Sequence, residues 1–201
     1  CQFAKSWRGV SLIKTTKFRL LRIITGVCLR KQIRSKMRSS PKFLVQSALI
    51  AAIYSVLTII LGSFGYGPIQ FRIAEALTVL PAVMPAAIPG LFIGCILANW
   101  FGGFGIIDIV FGSLATLLAG ISTYLLRKHR FLFPLPPVFF NAIIVGAYVY
   151  LLYDNSYSMA FTMLFIGISE LIICYVLGLP LIGFIKKNSV LKKAFGINDQ
   201  Q

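Results

Sequence analysis

Three of the five acidic side chains in this 201-residue sequence, Glu75, Asp108 and Glu170, stand inside long runs of apolar residues. A carboxylate in such a setting costs roughly 2.5–3.5 kcal/mol at a helix centre on insertion scales, so something must offset each of them. Arg72 lies three residues before Glu75, a spacing at which the two satisfy each other on a helix. The apolar segments hold no other basic residue. Asp108 and Glu170 therefore need hydroxyl, amide or water partners, a protonated state, or a ligand that donates hydrogen bonds or carries positive charge. The first set of partners describes a self-contained bundle and the last describes a binding site.

Enzyme chemistry fits these residues poorly. The single histidine, His129, sits among Arg127, Lys128 and Arg130, so neither a histidine metal site nor a serine–histidine pair is available within the apolar segments. Cys1, Cys28, Cys95 and Cys174 have no pairing rhythm and read as small apolar residues. The nearest approach to a Walker spacing, Gly178 and Gly183, runs into Phe184 inside a helix, which excludes ATP hydrolysis by that route. A two-aspartate membrane protease would need Asp108 and Asp154, and Asp154 falls in an expected external turn. The expectation is a protein that binds or moves a small solute, with no catalytic residue, metal or cofactor.

The elements that position these acids follow from composition. Hydrophobic residues make up 58% of the chain and charged residues 12%, and the apolar residues come in runs long enough to cross a hydrocarbon layer of roughly 30 Å. Phe43 to Leu61 alone gives nineteen residues without a charge. Twelve of the twenty Lys and Arg fall in residues 1–42, a stretch without acids. Beside a membrane span such a tail reads as the positive-inside signal and as attraction to anionic lipid of a bilayer, not as a nucleic-acid arm. The chain begins at Cys1 and its first methionine is Met37. Translation is therefore expected to start at Met37, with residues 1–36 upstream sequence or a fusion remnant. The alternative is a basic interfacial helix around Trp7 to Leu29.

Placing each basic cluster in the cytoplasm fixes the topology: the tail through Lys42, then Arg127, Lys128 and Arg130, then Lys186, Lys187, Lys192 and Lys193. The 84 residues between the first two clusters and the 55 between the last two accommodate four and two crossings. The expected fold is all-α: a six-transmembrane-helix bundle over residues 43–187 with N- and C-termini cytoplasmic, a basic tail 1–42 and a short tail 188–201. The crossings are Phe43 to Leu61, about Phe71 to Met84, about Gly90 to Phe101, Ile106 to Leu126, about Val138 to Tyr153, and Met159 to Ile185. Gly62 to Gly67 forms an external turn. The second crossing is short and is followed by Pro81, Pro85 and Pro89, so it must be shielded by protein. Gly112, Thr116 and Gly120 form a small-residue stripe for close helix packing. Tyr148, Tyr150 and Tyr153 read as an interfacial belt. The last crossing exceeds the layer and is expected to yield at Pro180.

This topology brings Glu75, Asp108 and Glu170 to the outer half of the membrane, Glu170 about 18 Å deep as the twelfth residue of its helix. Gln70, Arg72, Asn99 and Trp100 fall at the same level. In the first span Ala48 and Ala52 stand four apart with Ala51 and Ser55 alongside, a flat face for a close helix contact, either within the bundle or with a partner.

The run Gly67-Pro-Ile-Gln-Phe-Arg-Ile-Ala-Glu-Ala-Leu-Thr-Val-Leu-Pro81, with Pro85-Ala-Ala-Ile-Pro-Gly90, resembles the signature of the QueT family of queuosine-precursor transporters. Ile107-Asp-Ile-Val-Phe-Gly-Ser-Leu-Ala-Thr-Leu117, Pro134-Leu-Pro-Pro137 with Asn141, and Ser169-Glu-Leu with Cys174-Tyr-Val-Leu-Gly-Leu-Pro180 resemble further family segments in order, so that the likeness covers roughly Phe43 to Lys187. The resemblance implies a substrate-binding S-component of an energy-coupling factor (ECF) transporter in a bacterial plasma membrane. It also implies six helices, an external pocket, and partners consisting of a coupling transmembrane subunit and two cytoplasmic ATPases. Similar subunits dock through an alanine motif on the first helix, which points to Ala48 and Ala52. The implied cargo is a deazaguanine such as aminomethyl-deazaguanine. Its guanine-like edge offers two adjacent N–H donors for one carboxylate, and its aminomethyl cation needs another. Glu170 and Glu75 suit the edge, Asp108 the ammonium, and Trp100 or Phe71 a stacking role. A solitary facilitator or channel without ATPase partners is the alternative.

Overall fold

The computed structural model describes residues 41–61, 72–103, 105–152 and 158–195, all within one compact unit, Pro41–Gln201. The Met37 start, the Trp7 to Leu29 helix, the Gly62 to Gly67 turn, Gln70, Phe71, Tyr153 and Asp154 lie outside the described residues. Every regular element described is helical. We number them α1 (Pro41–Leu61), α2 (Ile73–Ala82), α3 (Ala87–Phe101), α4 (Asp108–Leu125), α5 (Leu135–Leu151), α6 (Met159–Lys187) and α7 (Ser189–Ala194). By length and composition α1, α4 and α6 can cross a membrane, whereas α2, α3 and α5 are apolar and shorter. At roughly 1.5 Å per residue the 15 residues of α3 fall short of the layer, and so do the ten residues of α2 at roughly 2.0 Å.

The bundle buries an apolar core together with a set of polar side chains and presents apolar side chains outward. In α1 the buried residues are Ser47, Ile50, Ala51, Tyr54, Ser55 and Thr58, one stripe at helical spacing. Leu44, Val45, Leu49, Ile53, Val56 and Ile60 are exposed around it. Lipid accepts such a surface and water does not. The buried hydroxyls are satisfied locally: Ser55 Oγ donates to the Ala51 carbonyl at 2.8 Å and Thr58 Oγ1 to that of Tyr54 at 2.8 Å. Ser47 Oγ donates across to the Ala86 carbonyl at 2.9 Å and so ties α1 to the start of α3. Small residues let those two helices meet. A Cβ on Gly90 would lie 2.7 Å from the Ser47 carbonyl oxygen, and one on Gly94 2.9 Å from that of Ala51.

The second apolar segment is a 3₁₀ helix, not an ordinary crossing. Glu75 N donates to Arg72 O, and Val83 N to Leu80 O, each at 2.9 Å, three-residue bonds that suit a chain interrupted by prolines. Ala74, Glu75, Ala76, Thr78, Val79, Leu80, Pro81 and Ala82 are all buried, the protein shielding that the proline spacing demanded. The Gly112–Thr116–Gly120 stripe also packs closely: a Cβ on Gly120 would meet Pro81 at 3.6 Å and Ile88 at 3.9 Å.

Three of the helices widen into π turns, over Asp108–Gly112 in α4, Asn141–Val145 in α5 and Ile173–Gly178 in α6. The last lies immediately before Leu179 and Pro180, so α6 accommodates its proline by widening the turn ahead of it. One expectation is corrected. Tyr148 is no belt residue: it is 6% exposed, because its hydroxyl has an acid to bind inside the bundle.

Candidate functional site

Each acid sits where local geometry turns it inward. In a 3₁₀ helix residues three apart eclipse one another, so Arg72, Glu75 and Thr78 project along one edge of α2 and its approach. Asp108 opens the π turn of α4, Asn141 opens that of α5, and Glu170 with Cys174 brackets the start of that in α6. Such wide turns are frequent at functional sites because they re-aim side chains without ending the helix.

The result is one connected polar cluster. Glu75 is 2% exposed, Glu170 5% and Asp108 4%. Tyr54 of α1 donates its hydroxyl to Glu75 Oε1 at 2.6 Å. The Asn141 amide nitrogen lies between the other two oxygens and donates to Glu170 Oε1 at 2.7 Å and to Glu75 Oε2 at 3.4 Å. Cys174 Sγ stands 3.9 Å from Glu170 Oε2. Asp108 Oδ1 accepts from the Tyr148 hydroxyl at 2.7 Å, and Arg72 Nη2 is 3.9 Å away. Arg72 thus reaches across the bundle to Asp108 and is not confined to the Glu75 partnership expected from their spacing. Asn99 Nδ2 donates to the Asp108 main-chain carbonyl at 2.8 Å. Its Oδ1, buried, has no hydrogen-bond partner among the described residues.

Between these groups lies a cavity lined by Arg72, Glu75, Asn141 and Glu170, with Cys95 and Thr116 among the remaining walls. Its volume is about 10 Å³, room for about one water and far below the roughly 300–1,000 Å³ of small-molecule pockets. Nothing larger than about one water fits between these groups as they stand. Neighbouring side chains give each acid at least one donor, but one guanidinium faces three carboxylates. A cationic or N–H-rich ligand would add positive charge and donors to this group of acids.

The structure brings Arg72, Glu75, Asp108, Glu170 and Asn99 together. Trp100 is set apart: it is 67% exposed, because one step along a helix from buried Asn99 turns a side chain by about 100°. The cluster also contains Tyr54, Tyr148, Asn141, Cys95 and Cys174, which sequence reasoning left out of the site. An amide or phenol inside an apolar run carries the same signal as an acid, in weaker form. Ala48 and Ala52 are exposed on α1, while Ala51 and Ser55 are buried against the bundle. Among the described residues no His, Cys, Asp and Glu group is arranged to hold a metal ion.

The QueT transporter family model matches residues 44–187. The queuosine precursor transporter QueT of Lactococcus lactis subsp. cremoris is 38% identical over 77 residues, 37% of this chain and 45% of that protein. The chain thus matches less than half the length of that curated relative. No solved structure matches it.

Proposed function

The chain belongs to the QueT transporter family, and from that premise we propose that it captures a queuosine precursor, a deazaguanine with an aminomethyl group, for uptake across a bacterial plasma membrane. The observation that carries the reading is the excess of buried carboxylates over positive charge around Arg72. The guanine-like edge presents two neighbouring N–H donors to Glu170 or Glu75, in place of those that Asn141 supplies without a ligand. The aminomethyl cation goes to Asp108, and the free Oδ1 of Asn99 accepts a further N–H. Gln70, Phe71 and Trp100 are further candidate contacts for the incoming ligand. Because the cavity holds about one water, binding parts the Glu75–Asn141–Glu170 contacts as the ligand replaces them.

In this reading the chain is the substrate-binding subunit of an ECF-type importer, with six crossings and both termini cytoplasmic. A coupling transmembrane subunit docks on the α1 face carrying Ala48 and Ala52, and two ATPases drive uptake. The exposure of those two alanines, beside buried Ala51 and Ser55, supports the assignment. The test is ligand binding to the purified protein. Glu170→Gln is expected to weaken aminomethyl-deazaguanine binding tenfold or more, about the 1.5–3 kcal/mol of a hydrogen bond to a charged group. Unchanged affinity removes Glu170 from the site. Uptake that persists after deletion of the ATPase genes would instead establish a solitary facilitator.

A further inference from the structure

Away from the acid cluster, a groove of about 240 Å³ runs between α1, α2, α6 and α7 and is walled by apolar side chains alone, Leu49, Ile53, Leu77, Leu80, Phe184 and Leu191 among them. Leu49, Ile53 and Phe184 are 47%, 42% and 61% exposed, so the groove opens on the lipid-facing side of the bundle. Part of its wall comes from α7. That short helix is capped by Asn188, whose Oδ1 accepts from Val190 N at 3.0 Å and Leu191 N at 3.3 Å. It is pinned to α1 by Gln46 Nε2, which donates to the Ala194 carbonyl at 2.8 Å. It turns Leu191 and Phe195 into the groove.

The chain beside these lining residues is basic. Lys186 and Lys187 follow directly on the groove residues Phe184 and Ile185, and Lys193 stands between Leu191 and Phe195; all three lysines are exposed. From Leu171 to Phe195 the sequence contains no acid to neutralise them. An apolar slot whose lining residues are adjoined in sequence by exposed lysines matches one chemistry: a fatty acyl chain continuous with an anionic phosphate headgroup. We propose that this groove holds one acyl chain of an anionic phospholipid, its headgroup phosphate bound by Lys186, Lys187 and Lys193. A zwitterionic lipid fills the slot equally well but brings its own cation to the lysines. The lysine charge therefore sets the preference, and the slot sets the retention.

The experiment is native mass spectrometry of the full chain released from micelles containing equal amounts of phosphatidylglycerol and phosphatidylcholine with identical acyl chains. Phosphatidylglycerol is expected to be retained tenfold or more over phosphatidylcholine. The triple variant K186Q/K187Q/K193Q is expected to lose that preference, at roughly fivefold per lysine, while keeping phosphatidylcholine. Ile53→Trp, which fills the slot from its exposed side, is expected to release both lipids, and Leu49→Trp provides a second filling variant should the first not fold. Equal retention of the two lipids overturns the proposal. So does a preference that survives the triple variant, or lipid retention indifferent to both filling variants; the latter result would assign the groove to another occupant, such as a protein partner or residues 1–40.

Discussion

The amide of Asn141 donates to the side-chain carboxyls of two of the acids, Glu170 and Glu75, and its replacement by Leu, similar in size, tests the whole cluster. The bond to Glu170 at 2.7 Å is short and ends on a carboxylate, which places it at roughly 1.5–3 kcal/mol, whereas the 3.4 Å bond to Glu75 is near the limit of the geometry and contributes roughly 0.5–1. Asn141→Leu should therefore lower the unfolding free energy by about 2–4 kcal/mol, measured by equilibrium unfolding in mixed micelles of SDS and a mild detergent. Glu170→Gln converts the stronger bond into a neutral one of roughly 0.5–1.5 kcal/mol. In that background the same Asn141→Leu change should cost about 1–1.5 kcal/mol less. The double-mutant cycle isolates this coupling. Losses that agree in the two backgrounds within about 0.3–0.5 kcal/mol, the scatter of independent sites, would refute the idea that Asn141 acts through Glu170.

Other parts of the structure make equally direct commitments. Tyr148→Phe removes the donor 2.7 Å from Asp108 and should cost roughly 1.5–3 kcal/mol by the same unfolding assay, while Tyr150→Phe, half-buried two residues on, should stay within about 0.5. Gly94→Ala puts a Cβ 2.9 Å from the Ala51 carbonyl and should destabilise by about 1–3 kcal/mol; Gly183→Ala, with nothing within 4 Å, should be neutral or gain up to about 1 from helix propensity. Equal thermal midpoints for the two alanine variants would contradict the α1–α3 packing. Asn188→Ala strips the α7 cap, worth about 1 kcal/mol, and hydrogen exchange at Val190 and Leu191 should accelerate several-fold while α1 amides stay protected.

The membrane class, the helical composition and the family were legible in the sequence, because apolar runs and long ordered motifs survive any local irregularity. So was the shielding of the proline-rich segment: three prolines at intervals of four leave carbonyls that lipid cannot satisfy. The details of the cluster were less accessible. The Arg72–Glu75 spacing is a statement about one helix, yet the guanidinium reaches Asp108 on another, a contact that only the three-dimensional arrangement reveals. Tyr148 looked like a belt residue because two further tyrosines follow it closely in sequence, but a helix sends neighbours to different faces, and this one turns in. Trp100 failed to join Asn99 for the same reason. The π turns had no sequence signal strong enough to read, since an extra residue in a turn leaves composition unchanged.

Those three wide turns have a consequence for how the chain tolerates change. Each stores one residue more than an ordinary turn, so α4, α5 and α6 are each two helices slightly out of phase, joined at Asp108–Gly112, Asn141–Val145 and Ile173–Gly178. Removing a single residue there would let the turn relax to regular winding, and because the wide turn already underwinds by about the 100° that one residue adds, everything beyond it would keep its faces. In α5 such a deletion would leave Tyr148 on the side of Asp108, whereas the same loss in the regular winding between Gly146 and Tyr148 would turn the phenol away. A lost amino acid is thus tolerated better within these turns than in the ordinary helix on either side.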